Sequence, residues 1–415
     1  MKKLNVHIAY IAGVLLLSST LFQSCHNDDN QTNELSYNEI SDYTLGTLTN
    51  ASAIKILKYK MPNVAGKQSD AKALVFFPKT AQPKDGYRVV VWQHGTVGVG
   101  DNCAPSNNAL NENFKTTAEL LLAKGFVILA PDYEGLGTKG IHPYLNVNSE
   151  ANSVYYGVKA LNEKYKSLIH GDWFSLGQSQ GGQSSIAVAE RGNQDIHFKG
   201  AVAAAPASNL DHIILEVAPE ALKGIEAREI AGNVILEDRN SIYSYATLLT
   251  YVAFAGAGIN AYDPSFDYAA LFKSRVQPLV RLVSGTNGDD GECLNETRIA
   301  IKADIIAFLN EDEAHKLMDY PGLDTDRFKS DVKLKAFLDG NKIGVSKIDK
   351  PLLIIQGSAD TNVPATITQQ LYNTIVGLSS PNVEFLLVNG ASHTEAIVAK
   401  NDELVAFIER YMPAK

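Results

Sequence analysis

Three residues far apart in the chain have the types needed for nucleophilic acyl chemistry: Ser179, Asp360 and His393. A serine hydroxyl is a poor nucleophile near neutral pH and needs a base within hydrogen-bond reach. Histidine suits that role because its unperturbed pKa lies near neutrality. A carboxylate can then hold its tautomer and stabilise the imidazolium that forms. Ser179 is the centre of Gly177-Gln178-Ser179-Gln180-Gly181, preceded by the apolar run Trp173–Leu176 and followed by helix-compatible residues to Arg191. Strand, tight turn and helix fit that order, the context in which Gly-x-Ser-x-Gly forms a nucleophile elbow. The glycines are needed because a Cβ would meet the neighbouring strand and helix. The bland alternative is a small-residue turn that happens to hold a serine.

The chain has nine histidines. His7 and His26 lie in an N-terminal leader and tether, and His142 in a loop before a helix. His170, His197, His212 and His315 fall at helix ends, before a strand or in a helical stretch. His94 ends a strand but precedes the serine, and a backbone-supporting role is expected for it. His393 alone lies in a loop between a final strand and a final helix. Asp360 ends the strand that begins near Pro351; its alternative role is to cap the backbone ahead of Val363-Pro364. Asp132, the main competing acid, is expected to cap the Glu134–Gly137 turn. An oxyanion would be held by two backbone N–H groups. One is that of Gln180, next to the nucleophile. The other comes from the loop after His94, with Thr96 as the first candidate and Gly95 and Val97 as alternatives.

These residues need a scaffold, and the pattern supplies one. Apolar runs at 87–94 and 126–132 read as strands buried on both faces, and those at 173–176 and 198–205 as further strands. Helices around 114–124, 149–166 and 183–191 alternate with them. Two further strands are expected at 54–59 and 73–77. Short connections and strict alternation predict a mostly parallel, doubly wound α/β sheet, with the site at the carboxyl ends of its strands. After Pro206 the strand signal stops. Residues 207–345 carry helical periodicity, with helices expected around 213–216, 220–231, 242–255, 296–310 and 313–318. That stretch is too long for a loop and reads as an inserted helical cap. The α/β pattern resumes with strands at 351–360 and 383–388 and helices at 365–378 and 396–411, so the core comprises 43–206 and 346–415. Tyr243, Tyr245, Tyr251 and Phe254 suit either the cap's own core or an acyl-binding tunnel.

The chain has 415 residues, 45% apolar and 20% charged, with a net charge of −9. That is ample for a large core. An acidic chain without a basic stripe does not suit nucleic acid. No metal or cofactor is expected. The sequence has no His-x-x-x-His or Cys-x-x-Cys; Asp289-Asp290-Gly291-Glu292 lacks EF-hand spacing, and Gly98-Val99-Gly100 lacks a dinucleotide-loop context. Lys2, Lys3 and the short apolar run from Ile8 to Phe22 read as an export signal rather than a membrane span. A small residue followed by Cys25 looks like a bacterial lipoprotein cleavage site. Residues 1–25 are thus expected to be removed up to an acylated Cys25, and 26–42 to form a linker. The expected location is the outer membrane, held by a lipid anchor only, with plain secretion as the alternative. Cys103 and Cys293 then remain as an even pair in an oxidising compartment, and a disulfide between them is expected.

Several stretches together resemble the secretory lipase family of the lipase A type: His94-Gly95-Thr96, Asp101–Ser106, Asp132–Thr138, His142-Pro143-Tyr144-Leu145 and Gly177–Gly182. The resemblance runs from about Tyr43 to the C-terminus. It implies an α/β-hydrolase fold, a helical lid after the sixth strand and hydrolysis of acyl esters. By position, Ser179, Asp360 and His393 match that family's triad in the order nucleophile, acid, base. Cys103 matches a cysteine in its Cys-Ala-Pro-Ser stretch. Gln178 and Gln180 fall where the family varies. The function expected is a serine carboxylic-ester hydrolase acting on small-molecule or lipid esters through an acyl-enzyme. The alternatives are a serine peptidase of the same fold and a non-catalytic surface binding lipoprotein.

Overall fold

The computed structural model describes residues 40–414. The expected leader with Cys25, and the linker up to residue 39, lie outside the described residues. The last three residues of that expected linker, Ile40–Asp42, form a short edge strand, β1, paired antiparallel with β2 (Ala51–Pro62). β2 pairs antiparallel with β3 (Gln68–Pro78). The remaining strands are β4 (Tyr87–Gln93), β5 (Val127–Pro131), β6 (Ile169–Gln178), β7 (Phe198–Ala204), β8 (Leu352–Gly357) and β9 (Val383–Val388). They complete a nine-stranded sheet in the order β1-β2-β3-β5-β4-β6-β7-β8-β9, parallel from β5 onward.

Alternate residues of the central strands face opposite layers, as the two-residue strand period requires. Val90, Ile128, Phe174 and Val202 pack with helix α1 (Glu112–Lys124) and the Asn401–Tyr411 helix. On the other face, Trp173 meets Tyr155 of helix α2 (Val147–Lys164), and Ser175 meets Ser185 of helix α3 (Gln180–Arg191). The strand ends are level. Gln93 pairs with Gly177, Gln178 with Ala204, and Ala204 with Ile355. The loops bearing His94, Ser179 and Asp360 therefore leave the sheet along one edge.

From Ala207 to Val345 the chain forms helices and turns, with a single antiparallel bridge between Phe272 and Leu323. Their apolar side chains share one cluster with Val99, Tyr144, Leu145 and Val363 of the core loops. The helix Asn240–Tyr262 is apolar on every side and long enough to cross a membrane, but it is mostly buried inside the protein. Such a helix in a folded chain is a core element. Gly258 brings it against the core: a Cβ there would lie 2.7 Å from the Tyr144 main-chain nitrogen.

The local expectations differ in other places as well. Residues 313–318 form a turn and a short 3₁₀ segment, Leu317–Asp319, where a helix was expected. Helices Thr325–Ser330 and Val332–Gly340 are present without having been expected; their N-termini are capped by the side chains of Asp324 and Asp331. The final helix is two, Glu395–Ala399 and Asn401–Tyr411, broken at Lys400.

Cys103 and Cys293 are disulfide-bonded across 190 residues. The bond joins the loop after β4 to the start of the Leu294–Glu311 helix. Closing so long a loop restricts the unfolded chain strongly, and the Cys103→Ser/Cys293→Ser variant should lose about 2–5 kcal/mol of stability. The check is a lower denaturant midpoint, with a slope that rises as the unfolded chain expands, together with blocked thiols in the mass of unreduced wild-type protein.

Candidate active site

The elbow is built by steric exclusion. Ser179 adopts φ 60° and ψ −116°, a conformation non-glycine residues rarely hold. A Cβ on Gly177 would lie 1.9 Å from the Gly181 carbonyl oxygen, and one on Gly181 would lie 1.9 Å from that of Gln93. Both contacts are backbone, so no side chain could turn away to relieve them. The Ser179 N–H donates to Ala204 O at 2.8 Å, and Ser179 O accepts from Gln183 N at 3.0 Å and Ala207 N at 3.2 Å. Beneath the turn, Gln93 Nε2 donates to Ser175 Oγ at 2.5 Å. Ser175 Oγ meets Ser185 Oγ at 2.7 Å, Ser185 donates to Val202 O at 2.9 Å, and Ser184 donates to Gln93 Oε1. These fully buried hydroxyls lock α3 onto three strands.

The structure brings Ser179, His393 and Asp360 together. His393 Nε2 lies 2.8 Å from Ser179 Oγ, and His393 Nδ1 lies 2.7 Å from Asp360 Oδ2. A carboxylate only accepts, so Nδ1 carries the proton and Nε2 presents its lone pair to the serine. The Asp360 side chain is wholly shielded from solvent. Its Oδ1 accepts from Asn362 N at 2.8 Å and Val363 N at 2.9 Å, while Gln356 Nε2 donates to Oδ2 at 3.0 Å. Asp360 therefore caps the backbone ahead of Val363 and holds the histidine at once. Gln356 was not singled out from the sequence. It is fully buried in β8, bonds Val363 O and accepts from Thr368; a glutamine in the otherwise apolar run Leu352–Ile355 was the available signal.

The competing residues have other partners. Asp132 is buried on the far side of His94 and accepts from Ser106 N at 2.9 Å instead of capping its own turn. Burial raises its pKa to about 7. Both ring nitrogens of His94 face main-chain oxygens, 2.7 Å from Gly95 O and 3.2 Å from Asp132 O; burial lowers its pKa, and the neutral ring donates to one of them. Asp290 ties its own loop by accepting from Thr286. Among the described residues no group of three or more His, Cys, Asp or Glu could hold a metal ion.

Gln180 is the first residue of α3, where main-chain N–H groups have no intrahelical acceptor. The loop after β4 approaches from the other side: a Cβ on Gly95 would sit 3.5 Å from Ser179 Cβ, and Thr96 Oγ1 is fixed 2.6 Å from Tyr144 OH. A narrow apolar cavity of about 50 Å³ reaches Ser179. Leu248, Val252, Ala255 and Phe328 of the helical stretch line it, with Tyr144 and Val363. Tyr251 also lines it, whereas Tyr245 and Phe254 belong to the packed core of that stretch.

No family model matches the chain, and no curated protein matches it by sequence. Solved structures do match in fold. A putative hydrolase from Legionella pneumophila aligns with a TM-score of 0.64 at 19% identity, over 88% of this chain and 91% of that one. Lipase A of Candida antarctica in its closed state gives 0.64 at 13% identity, over 90% and 81%. The rice cell wall degrading esterase LipA of Xanthomonas oryzae gives 0.63 at 14%, over 91% and 98%. The chain has the α/β-hydrolase fold.

The elbow sterics give a direct test. Gly181→Ala should cost about 4 kcal/mol or more, in the range of severe core lesions, read from denaturant midpoints. Ser179→Ala should not destabilise comparably, because alanine drops only the hydroxyl.

Proposed function

We propose that the protein is a serine carboxylic-ester hydrolase, a lipase or esterase. The observation that carries this reading is the hydrogen-bonded chain from Ser179 Oγ through His393 to Asp360, 2.8 and 2.7 Å long, opening into an apolar cavity. Ser179 Oγ attacks the ester carbonyl while His393 Nε2 takes its proton. Asp360 holds the ring and stabilises the imidazolium. The tetrahedral oxyanion is held by the Gln180 N–H and a second N–H from the loop at Gly95–Val97, with Thr96 the first candidate. His393 then protonates the departing alcohol, and water, activated by the same histidine, releases the acid from the acyl-serine.

An apolar cavity suits an acyl chain because its burial is favourable by about 0.8 kcal/mol per methylene. Neighbours in fold that are named lipases and esterases support the same reading. An exported protein agrees with the disulfide, since such bonds persist in oxidising compartments. On this reading Cys25 is acylated and anchors the chain at the outer membrane.

Ser179→Ala should lower turnover of p-nitrophenyl esters on the order of 10³-fold or more and abolish labelling by a fluorophosphonate. Wild-type rates in that variant would refute the proposal. Preference for p-nitroanilide peptides over esters would favour the peptidase alternative. Ala255→Trp should fill the cavity and shift preference toward shorter acyl chains, seen as a fall in kcat/KM for long esters relative to acetate.

A further inference from the structure

Gln180 has a side chain as well as the main-chain N–H assigned above, and that side chain is buried in a polar cluster. Its Nε2 donates to His142 Nε2 at 2.8 Å and to Glu150 Oε1 at 2.8 Å, so both amide hydrogens are used. The tautomer of His142 follows from its other contact. His142 Nδ1 lies 2.8 Å from Glu134 O, a carbonyl that can only accept, so Nδ1 carries the proton and Nε2 is the acceptor. Glu150 Oε1 also accepts from Leu145 N at 3.1 Å. Leu145 lines the cavity that reaches Ser179 and holds φ 62°. Glu150 Oε2 is buried without a hydrogen-bond partner. Glu150 and His142 are both fully buried. A buried carboxyl beside the nucleophile's neighbour is costly unless it is neutral or paired, and the acid–base steps proposed above do not use it.

We infer that Glu150 is a positioning residue: with His142 it clamps the Gln180 side chain, and so fixes the Gln180 main-chain N–H beside Ser179. This rests on the ester-hydrolase reading, because only there does that N–H have an oxyanion to hold. The clamp is anchored outside the elbow, by His142 in the segment between β5 and α2 and by Glu150 in the first turn of α2. The same segment supplies Tyr144, whose hydroxyl holds Thr96, so both candidate oxyanion donors are braced from one place.

The clamp carries a pH signature. Burial raises the Glu150 carboxyl to about 8. The ionisable groups that face it are His142, Tyr133 and Tyr144. Burial lowers His142 to about 3 and raises both tyrosines well above their usual range, so all three are neutral from pH 7 to 9. Below about 8 Glu150 is a neutral acid whose Oε1 accepts from Gln180. Above it, a buried negative charge appears beside the residue that must stabilise a second negative charge on the substrate. The rate then falls.

The experiment compares wild type, Glu150→Ala and Glu150→Gln in p-nitrophenyl ester kinetics across pH, with fluorophosphonate labelling of Ser179 alongside. Glu150→Ala should lose kcat at pH 7 on the order of 10²-fold, the scale of a small misplacement of a catalytic group, with KM little changed and slower labelling. Glu150→Gln keeps the Oε1 acceptor. It should restore kcat near wild type at pH 7 and remove the fall in rate above about pH 8. Wild-type kcat in a folded Glu150→Ala, or an unchanged alkaline limb in Glu150→Gln, overturns the inference. If Glu150→Ala fails to fold, the alkaline limb of Glu150→Gln decides alone. A wild-type protein that neither turns over esters nor labels at Ser179 would instead overturn the ester-hydrolase reading, and the clamp with it.

Discussion

The close approach of three backbones at the elbow constrains everything else in the molecule. Gly177, Gly181 and the Gln93 carbonyl occupy a space in which no Cβ fits. That contact allows α3 to begin directly above β6 and pushes Ser179 into a conformation costing about 1–3 kcal/mol. The surroundings over-determine it. The serine's N–H and C=O are held by Ala204, Gln183 and Ala207. A ladder of buried hydroxyls, Ser175, Ser184 and Ser185, pins the helix below. The strain is local, and its restraints come from four parts of the chain.

The other parts are braced toward that turn. Gln356 and the backbone at Asn362 and Val363 hold Asp360, which in turn holds His393. His94 faces the main-chain oxygens of Gly95 and Asp132. The helical stretch 207–345 is tied to the rest of the chain in two ways. The disulfide joins it covalently to the loop after β4, and Gly258 lets the Asn240–Tyr262 helix sit against the Tyr144 backbone. Tyr144 itself touches Phe254 of that helix and Thr96 of the core loop. The residues that pack the helical stretch against the sheet are therefore also those that line the cavity reaching Ser179.

Much of this was legible in the chain. The elbow is a steric pattern five residues wide, and sterics of that range are written in residue type. The alternation of apolar strands and helices, and its interruption after Pro206, follow from periodicity over ten or twenty residues. His393 could be separated from its eight rivals because only its loop lies between a last strand and a last helix. The capping aspartates Asp324 and Asp331 were also readable, since an acid before a short amphipathic run is a start signal. The helices that follow them are under ten residues each, too short to show a clear apolar period.

What the sequence by itself determined is therefore what local chemistry dictates: the turn, the element order and the residue types available to a nucleophile, base and acid. The tertiary structure alone decided partnership. Nothing local states that Gln180 meets Glu150 and His142, or that Asp132 accepts from the Ser106 N–H. Nor does it state that β5 lies between β3 and β4, or that Ile40–Asp42 pairs as an edge strand. Those contacts join residues tens of positions apart, or side chains aimed inward at groups the chain brings up later. They depend on how the sheet and the helical stretch pack, and a side chain's type limits which bonds it can make without naming its partner.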